Sequence, residues 1–337
     1  MKLDVIIIGS ATLDFFINSS ESKIINEKSF INKKGIAFPL GQKLEGSIFS
    51  TKTGGSCLNV GTTFSNFGYK SYLISNVGAD LNKKTIQDFV KSKKNIKKTK
   101  IKIDKKRNTS FSCVLLSNNA ERTIIKDPKS CSANIIVNQK DLKNTQAKIL
   151  FSSSLYGKRT NWNTIVNYKK DHPETMWCSN PNTKDLLFLK NNLNILNYID
   201  CFFLNLEEAS LLSNIPYTKE KQIFQFIDNH IKGICIVSKG KDGLTASDNK
   251  HIYCCNAYKH TKIVDTTGAG DALASGFSLM FRKTKDIEYS LKFALANASN
   301  CIEKIGGNTN LLTPTIFNNK TWKKYFNKLK IKKEKIW

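Results

Sequence analysis

Asp265-Thr266-Thr267-Gly268-Ala269-Gly270-Asp271-Ala272-Leu273 is the stretch on which the reading of this 337-residue chain turns. The apolar pair Ile263-Val264 leads into it, and from Ala272 to Phe281 the residues Ala, Leu, Phe and Met recur at helical spacing. A loop therefore feeds a helix here. The first N–H groups of such a helix lack intrahelical partners, and with the helix dipole behind them they form a socket for an anion. Glycines at 268 and 270 let a ligand approach the backbone without a Cβ in the way. A carboxylate at position 271 would repel a bound phosphate unless it had a proton to collect, which makes it a candidate general base. The plainer alternative is a simple turn in which Asp271 contributes only a favourable charge at a helix N-terminus.

The same residues resemble the second signature of the ribokinase/PfkB family of carbohydrate and nucleoside kinases, matching through Asp265, Thr266, Gly268, Gly270 and Asp271 without a gap. The resemblance implies that Gly268, Ala269 and Gly270 form the anion hole for the transferred phosphoryl group. It also implies that Thr266 lies beside the nucleotide and that Asp271 deprotonates the acceptor hydroxyl.

Upstream, Gly54-Gly55-Ser56-Cys57-Leu58-Asn59 opens a segment in which Leu58, Val60 and Phe64 lie at helical spacing and Gly68 ends the run. It resembles the family's first signature, implying that Gly54 and Gly55 hinge a lid and that Asn59 contacts the sugar. Ser56-Cys57 stand where some sugar kinases carry Lys-Gly. The opening apolar strand ends at Gly9-Ser10-Ala11-Thr12-Leu13-Asp14, which places a carboxylate just beyond a strand end, where open α/β sheets gather ligands. Asp14 either caps that turn or, as the resemblance implies, holds two substrate hydroxyls.

Short apolar runs at 71–77, 148–151, 176–178, 201–204 and 234–237 alternate with helix-like stretches, which predicts a largely parallel sheet covered by helices on both faces. Asn205-Leu206-Glu207-Glu208 has the spacing of a helix capping box. The resemblance implies a second role for Asn205 and Glu208, arranging Mg2+ through its waters, as suits a hard cation that keeps most of its hydration. By the same resemblance Ser238, Gly240 and Gly243 line the nucleotide, and Asn297 belongs to the adenine-side wall. The fold implied is a ribokinase-like doubly wound α/β domain spanning 1–337, with a core of 1–13, 53–106 and 127–337. A small β lid, 14–52 and 107–126, includes a polar turn at Ser117-Asn118-Asn119-Ala120.

Function follows from the resemblance as an ATP-dependent kinase acting on a hydroxymethyl group of a sugar or sugar derivative, with an adenosine- or nucleoside-kinase activity as the alternative. Phe15, Phe16, Phe30 and Phe38 are candidates to stack a purine or to fill a core. The absence of G-x-x-x-x-G-K-[ST] excludes a P-loop kinase.

The net charge of +26 raises a different class, a non-catalytic nucleic-acid-binding protein on this scaffold. Against it, only Arg107, Arg122, Arg159 and Arg282 supply the bidentate fork that reads phosphates, among 53 basic residues. No specific nucleic-acid partner is expected. The Lys-rich runs 91–106 and 320–335 are expected as solvated faces or tails, with Trp322 and Tyr325 on a covering helix. Nine cysteines without C-x-x-C spacing read as buried small residues of a reducing compartment, and the four histidines show no zinc-ligand pairing. No run approaches the roughly 18 apolar residues of a membrane span. The chain begins on a strand with no signal segment, so a cytoplasmic monomer or homodimer is expected.

Overall fold

The computed structural model describes residues 2–19, 21–29, 33–116, 122–258 and 262–336. In chain order the strands are β1 (Lys2–Ile8), β2 (Thr12–Ser19), β3 (Lys23–Asn26), β4 (Lys34–Ala37), β5 (Gly46–Gly54), β6 (Ser71–Gly78), β7 (Ile96–Asp104) and β8 (Ser110–Leu116). They continue with β9 (Arg122–Lys126), β10 (Gln146–Ser152), β11 (Met176–Ser179), β12 (Cys201–Asn205), β13 (Ile234–Ser238), β14 (Leu244–Ser247), β15 (His251–Cys255) and β16 (Ile331–Lys335).

One ten-stranded sheet has the order β16-β15-β14-β13-β12-β11-β10-β1-β6-β7. From β13 to β7 every pair is parallel, while β14, β15 and β16 add on antiparallel. The apolar runs of the sequence form the buried centre of this sheet. Their side chains alternate between its two faces, as the strand period demands. Cys201 and Phe203 of β12 and Ile234 and Ile236 of β13 enter one core, which includes Phe277, Phe293 and Trp322 from covering helices. Phe202, Leu204, Cys235 and Val237 enter the other, with Trp162, Leu186 and Phe224. The chain leaves β1 toward β6 on one side and leaves β10 toward β11 on the other, so the β1/β10 boundary is the topological switch point, where a crevice opens at the carboxyl ends of the strands.

A second sheet, β5-β2-β8-β9, stands over that crevice, and β3 and β4 form a separate hairpin. β2 pairs parallel with β8 and antiparallel with β5. One face of this sheet has its own small core of Phe16, Val114 and Leu116.

The structure decides two alternatives that the sequence left open. The Lys-rich runs are solvated faces and not tails: Ile96–Asp104 and Ile331–Lys335 are the two edge strands of the large sheet, with most of their side chains exposed, and Lys320–Lys328 is a helix that buries Trp322. Alternating lysines concealed them, because an edge strand lacks the apolar signature of a buried one. Phe16 takes the core alternative and, buried in the small sheet's core, is unable to stack a base, whereas Phe15 is exposed and packs edge to face with Phe111 at 6.0 Å. Phe38 is exposed, and Phe30 and the turn 117–120 lie outside the described residues.

Candidate active site

The helix Ala269–Thr284 starts from Gly268, which sits in the left-handed region at φ 78°. A Cβ at Gly268 would fall 2.4 Å from the Cα of Gly307, so only glycine lets the loop lie this close to the Gly306-Gly307 turn. Asp265 fixes the loop from within. It is buried, its Oδ1 accepts from the Thr267 N–H at 2.9 Å, and its Oδ2 accepts from the Gly306 N–H at 2.9 Å.

Asp271, in the first turn of that helix, receives an amide on each carboxylate oxygen. Asn59 Nδ2 donates to Oδ2 at 2.8 Å and Asn180 Nδ2 donates to Oδ1 at 3.2 Å. Asn308 in turn donates to Asn59 Oδ1 at 3.2 Å and to the Thr53 carbonyl at 2.8 Å, tying Asp271 through Asn59 to the end of β5. Protein surrounds Asp271 on all sides but the cavity. The resulting desolvation pushes its carboxyl above the ordinary carboxylate value, against the pull of the two amides.

Asp14 projects from β2 and is 5% exposed. Its Oδ1 accepts from Ser112 Oγ of β8 and from Thr12 Oγ1. Burial raises its pKa as well, and the charge of Asp265 adds to the effect. Gly54 is compelled by this carboxylate, since a Cβ there would stand 1.9 Å from Asp14 Oδ2. Gly55 follows at φ 88° and leads into the helix Ser56–Asn66.

Asn205 and Glu208 form the capping box expected from their spacing. Asn205 Oδ1 accepts from the Glu208 N–H at 2.7 Å, and Glu208 Oε2 accepts from the Asn205 N–H at 2.8 Å. The other Glu208 oxygen takes no hydrogen bond among the described residues. Burial raises the Glu208 pKa, and the negative charges of Glu207 and Asp271 raise it further. A divalent cation held near Glu208 would relieve that repulsion. Among the described residues no three His, Cys, Asp or Glu side chains converge, so the donor set fits a cation held mainly by water and ligand oxygens, not a protein cage.

These groups share one cavity of about 530 Å³ between the two sheets. Asp14, Gly55, Asn59, Asn205, Glu208, Ser238, Thr266, Gly268, Gly270 and Asp271 all line it. Gly240 and Gly243 lie outside its lining, in the turn between β13 and β14. A Cβ at Gly243 would lie 2.0 Å from the Cys255 carbonyl oxygen, which gives this glycine a packing reason of its own. Asn297 is corrected more firmly. It is fully buried, its Nδ2 donates to the Ala272 carbonyl at 2.8 Å, and its Oδ1 accepts from the Leu312 N–H at 2.9 Å. With its amide spent inside the fold, Asn297 braces the helix that carries Asp271 and offers a nucleotide nothing.

Asn180 and the β9 cations Arg122 and Lys126 were not anticipated, although they line the cavity. Asn180 follows directly on β11, and its position at a strand's carboxyl end was the available signal.

The chain matches the pfkB family carbohydrate kinase description over residues 4–314. It is 23% identical over 276 residues to the 5-dehydro-2-deoxygluconokinase of Bacillus subtilis, an alignment covering 76% of this chain and 82% of that protein. Among solved structures, the ribokinase of Giardia lamblia superposes with a TM-score of 0.75 at 15% identity, covering 94% of this chain and 98% of the other. The nucleoside kinase of Methanocaldococcus jannaschii gives 0.69 at 21% identity, covering 97% and 98%.

Proposed function

This chain belongs to the pfkB family of carbohydrate kinases, and from that premise, which makes it an ATP-dependent phosphotransferase with an alcohol acceptor, we propose how its own residues carry the reaction. Asp271 takes the proton from the acceptor hydroxyl. The observation that carries this reading is the placement of Asp271 at a helix N-terminus, with both oxygens fixed by amides, in a cavity shared with Asp14. Asn59 and Asn180 orient the base. Asp14 grips other acceptor hydroxyls from the opposite sheet, while the backbone of Gly268, Ala269 and Gly270 receives the charge of the moving phosphoryl group.

Asn205 and Glu208 would hold Mg2+ through its waters, and the ion would supply positive charge against the nucleotide oxygens. Ser238 and Thr266 flank the nucleotide. The segments 14–52 and 107–126, which carry most of the small sheet, serve as a lid whose closure over the cavity excludes water. Gly54 and Gly55 join it to the helix Ser56–Asn66.

A sugar or sugar derivative is favoured over a nucleoside, because β2 and β8 line the cavity with Thr12, Asp14, Ser110 and Ser112, and Phe111 is the one aromatic side chain these two strands add. The polar residues are hydroxyl and carboxylate partners for a polyhydroxy ligand, and Phe16, on the same face, is buried in the core. The test is ADP release from ATP and Mg2+ against ribose, fructose, fructose phosphates, deoxyketogluconate and adenosine. Acceptor-dependent release, strongest with a sugar or sugar derivative, is expected. Retention on DNA with no ADP release for any acceptor would contradict the reading.

A further inference from the structure

Arg122, Ile124 and Lys126 occupy alternate positions of β9 and line the cavity, whereas Thr123 and Ile125 between them do not. Neither cation forms an ion pair or hydrogen bond among the described residues. Arg122 is half-buried, and its Nε is sealed from solvent without a hydrogen-bond partner. Burial lowers its pKa, partly offset by the charge of Asp265. A guanidinium in that setting has lost hydration without replacing it, and an oxyanion that took its fork would restore the missing bonds.

The other arginines have surface employment: Arg107 pairs with Asp104, Arg159 lies over Phe188, and Arg282 donates to the Lys148 carbonyl. In a chain that otherwise uses Lys for positive charge, the one Arg turned into the cavity marks a need for fork geometry.

The side of the cavity is also defined. β9 pairs with β8 so that Lys126 stands opposite Ser112, the donor to Asp14. Nucleotide-side groups Asn205, Glu208 and Ser238 come from the large sheet and its helices. We propose that Arg122, assisted by Lys126, is an oxyanion subsite for the acceptor, so that the preferred acceptor carries a phosphate ester or a carboxylate in addition to the hydroxyl that is phosphorylated. The subsite rests on the reading of the cavity as a kinase acceptor site, and it narrows the acceptor to acidic sugars.

The experiment reads binding, not turnover, so that a failure of the catalytic reading stays separate. Fructose, fructose 6-phosphate, deoxyketogluconate and ATP are titrated calorimetrically into the intact protein and into Arg122→Ala and Arg122→Lys, with thermal melting to confirm folding. At least one acidic probe is expected to bind roughly 10- to 100-fold more tightly than fructose. The comparison of the phosphate with the carboxylate probe identifies which oxyanion is taken. Arg122→Ala should abolish the advantage while leaving fructose and ATP unchanged, and Arg122→Lys should restore only part of it, because an ammonium lacks the fork. Equal binding of acidic and neutral probes, or no binding of either acidic probe, would overturn the proposal. So would loss of ATP affinity in Arg122→Ala with the acidic-sugar preference intact, which would assign the cation to the nucleotide.

Discussion

At Asp271 the competition between burial and hydrogen bonding decides the chemistry. Burial prevails and raises the pKa, as it does for Asp14 and Glu208. A general base acts only when deprotonated, so the proposed role of Asp271 predicts activity that falls with decreasing pH through a limb lying above the ordinary aspartate value of 3.8, and a pH profile of kcat/KM measures it. A limb at or below that value would contradict the placement. The same shifts carry a stability consequence. A carboxyl whose folded pKa exceeds its unfolded value binds more protons when folded, so the stability it contributes is full below the unfolded pKa and is lost as pH rises through the folded one. These three carboxylates are therefore retained at neutral pH at a cost to the fold. Asp14→Ala should raise the acceptor KM roughly 10- to 100-fold, the scale of hydrogen bonds to a charged group, with the KM for ATP little changed. Equal effects on both substrates would remove Asp14 from the acceptor side.

Among the elements, the junction of β5 with the helix Ser56–Asn66 is where sequence and structure meet most closely. The resemblance in sequence marked Gly54 and Gly55 as a lid hinge, and the structure adds a reason for glycine at 54, the Asp14 carboxylate lying where a Cβ would go. Gly54→Ala is expected to displace Asp14, lowering kcat and raising the acceptor KM together in steady-state kinetics while the chain stays folded. Unchanged kinetics would argue against any role for this junction. The loop from Asp265 to Asp271 and the capping box at Asn205 were legible because each depends on local spacing. Asn297 was misread because its partners, Ala272 and Leu312, are remote or unremarkable in sequence. Asn180 and Arg122 were missed for a related reason: only the tertiary crossing of the two sheets reveals what they face.

For the molecule as a whole, the parallel centre was readable from its apolar runs, and the edges were not, since β7 and β16 are dressed in lysine. That dressing accounts for part of the net charge of +26 without invoking a polyanionic partner. Unpaired strand edges invite pairing with another chain, and charged side chains oppose it. Replacing Lys97, Lys100 and Lys335 by Thr should therefore promote self-association, visible by light scattering, and an unchanged mass would show that the charges do no such work. Among the described residues no helix is long and apolar enough to cross a membrane. The larger claim is that two sheets close on a single proton acceptor at the switch point. Steady-state kinetics of Asp271→Asn, with ATP binding and thermal melting on the same protein, test it most directly. The amide keeps the size but accepts no proton, so kcat should fall about 10²- to 10⁴-fold with ATP affinity and melting temperature retained. A kcat near that of the wild type, with melting lowered by the loss of a helix-terminal charge, would contradict it.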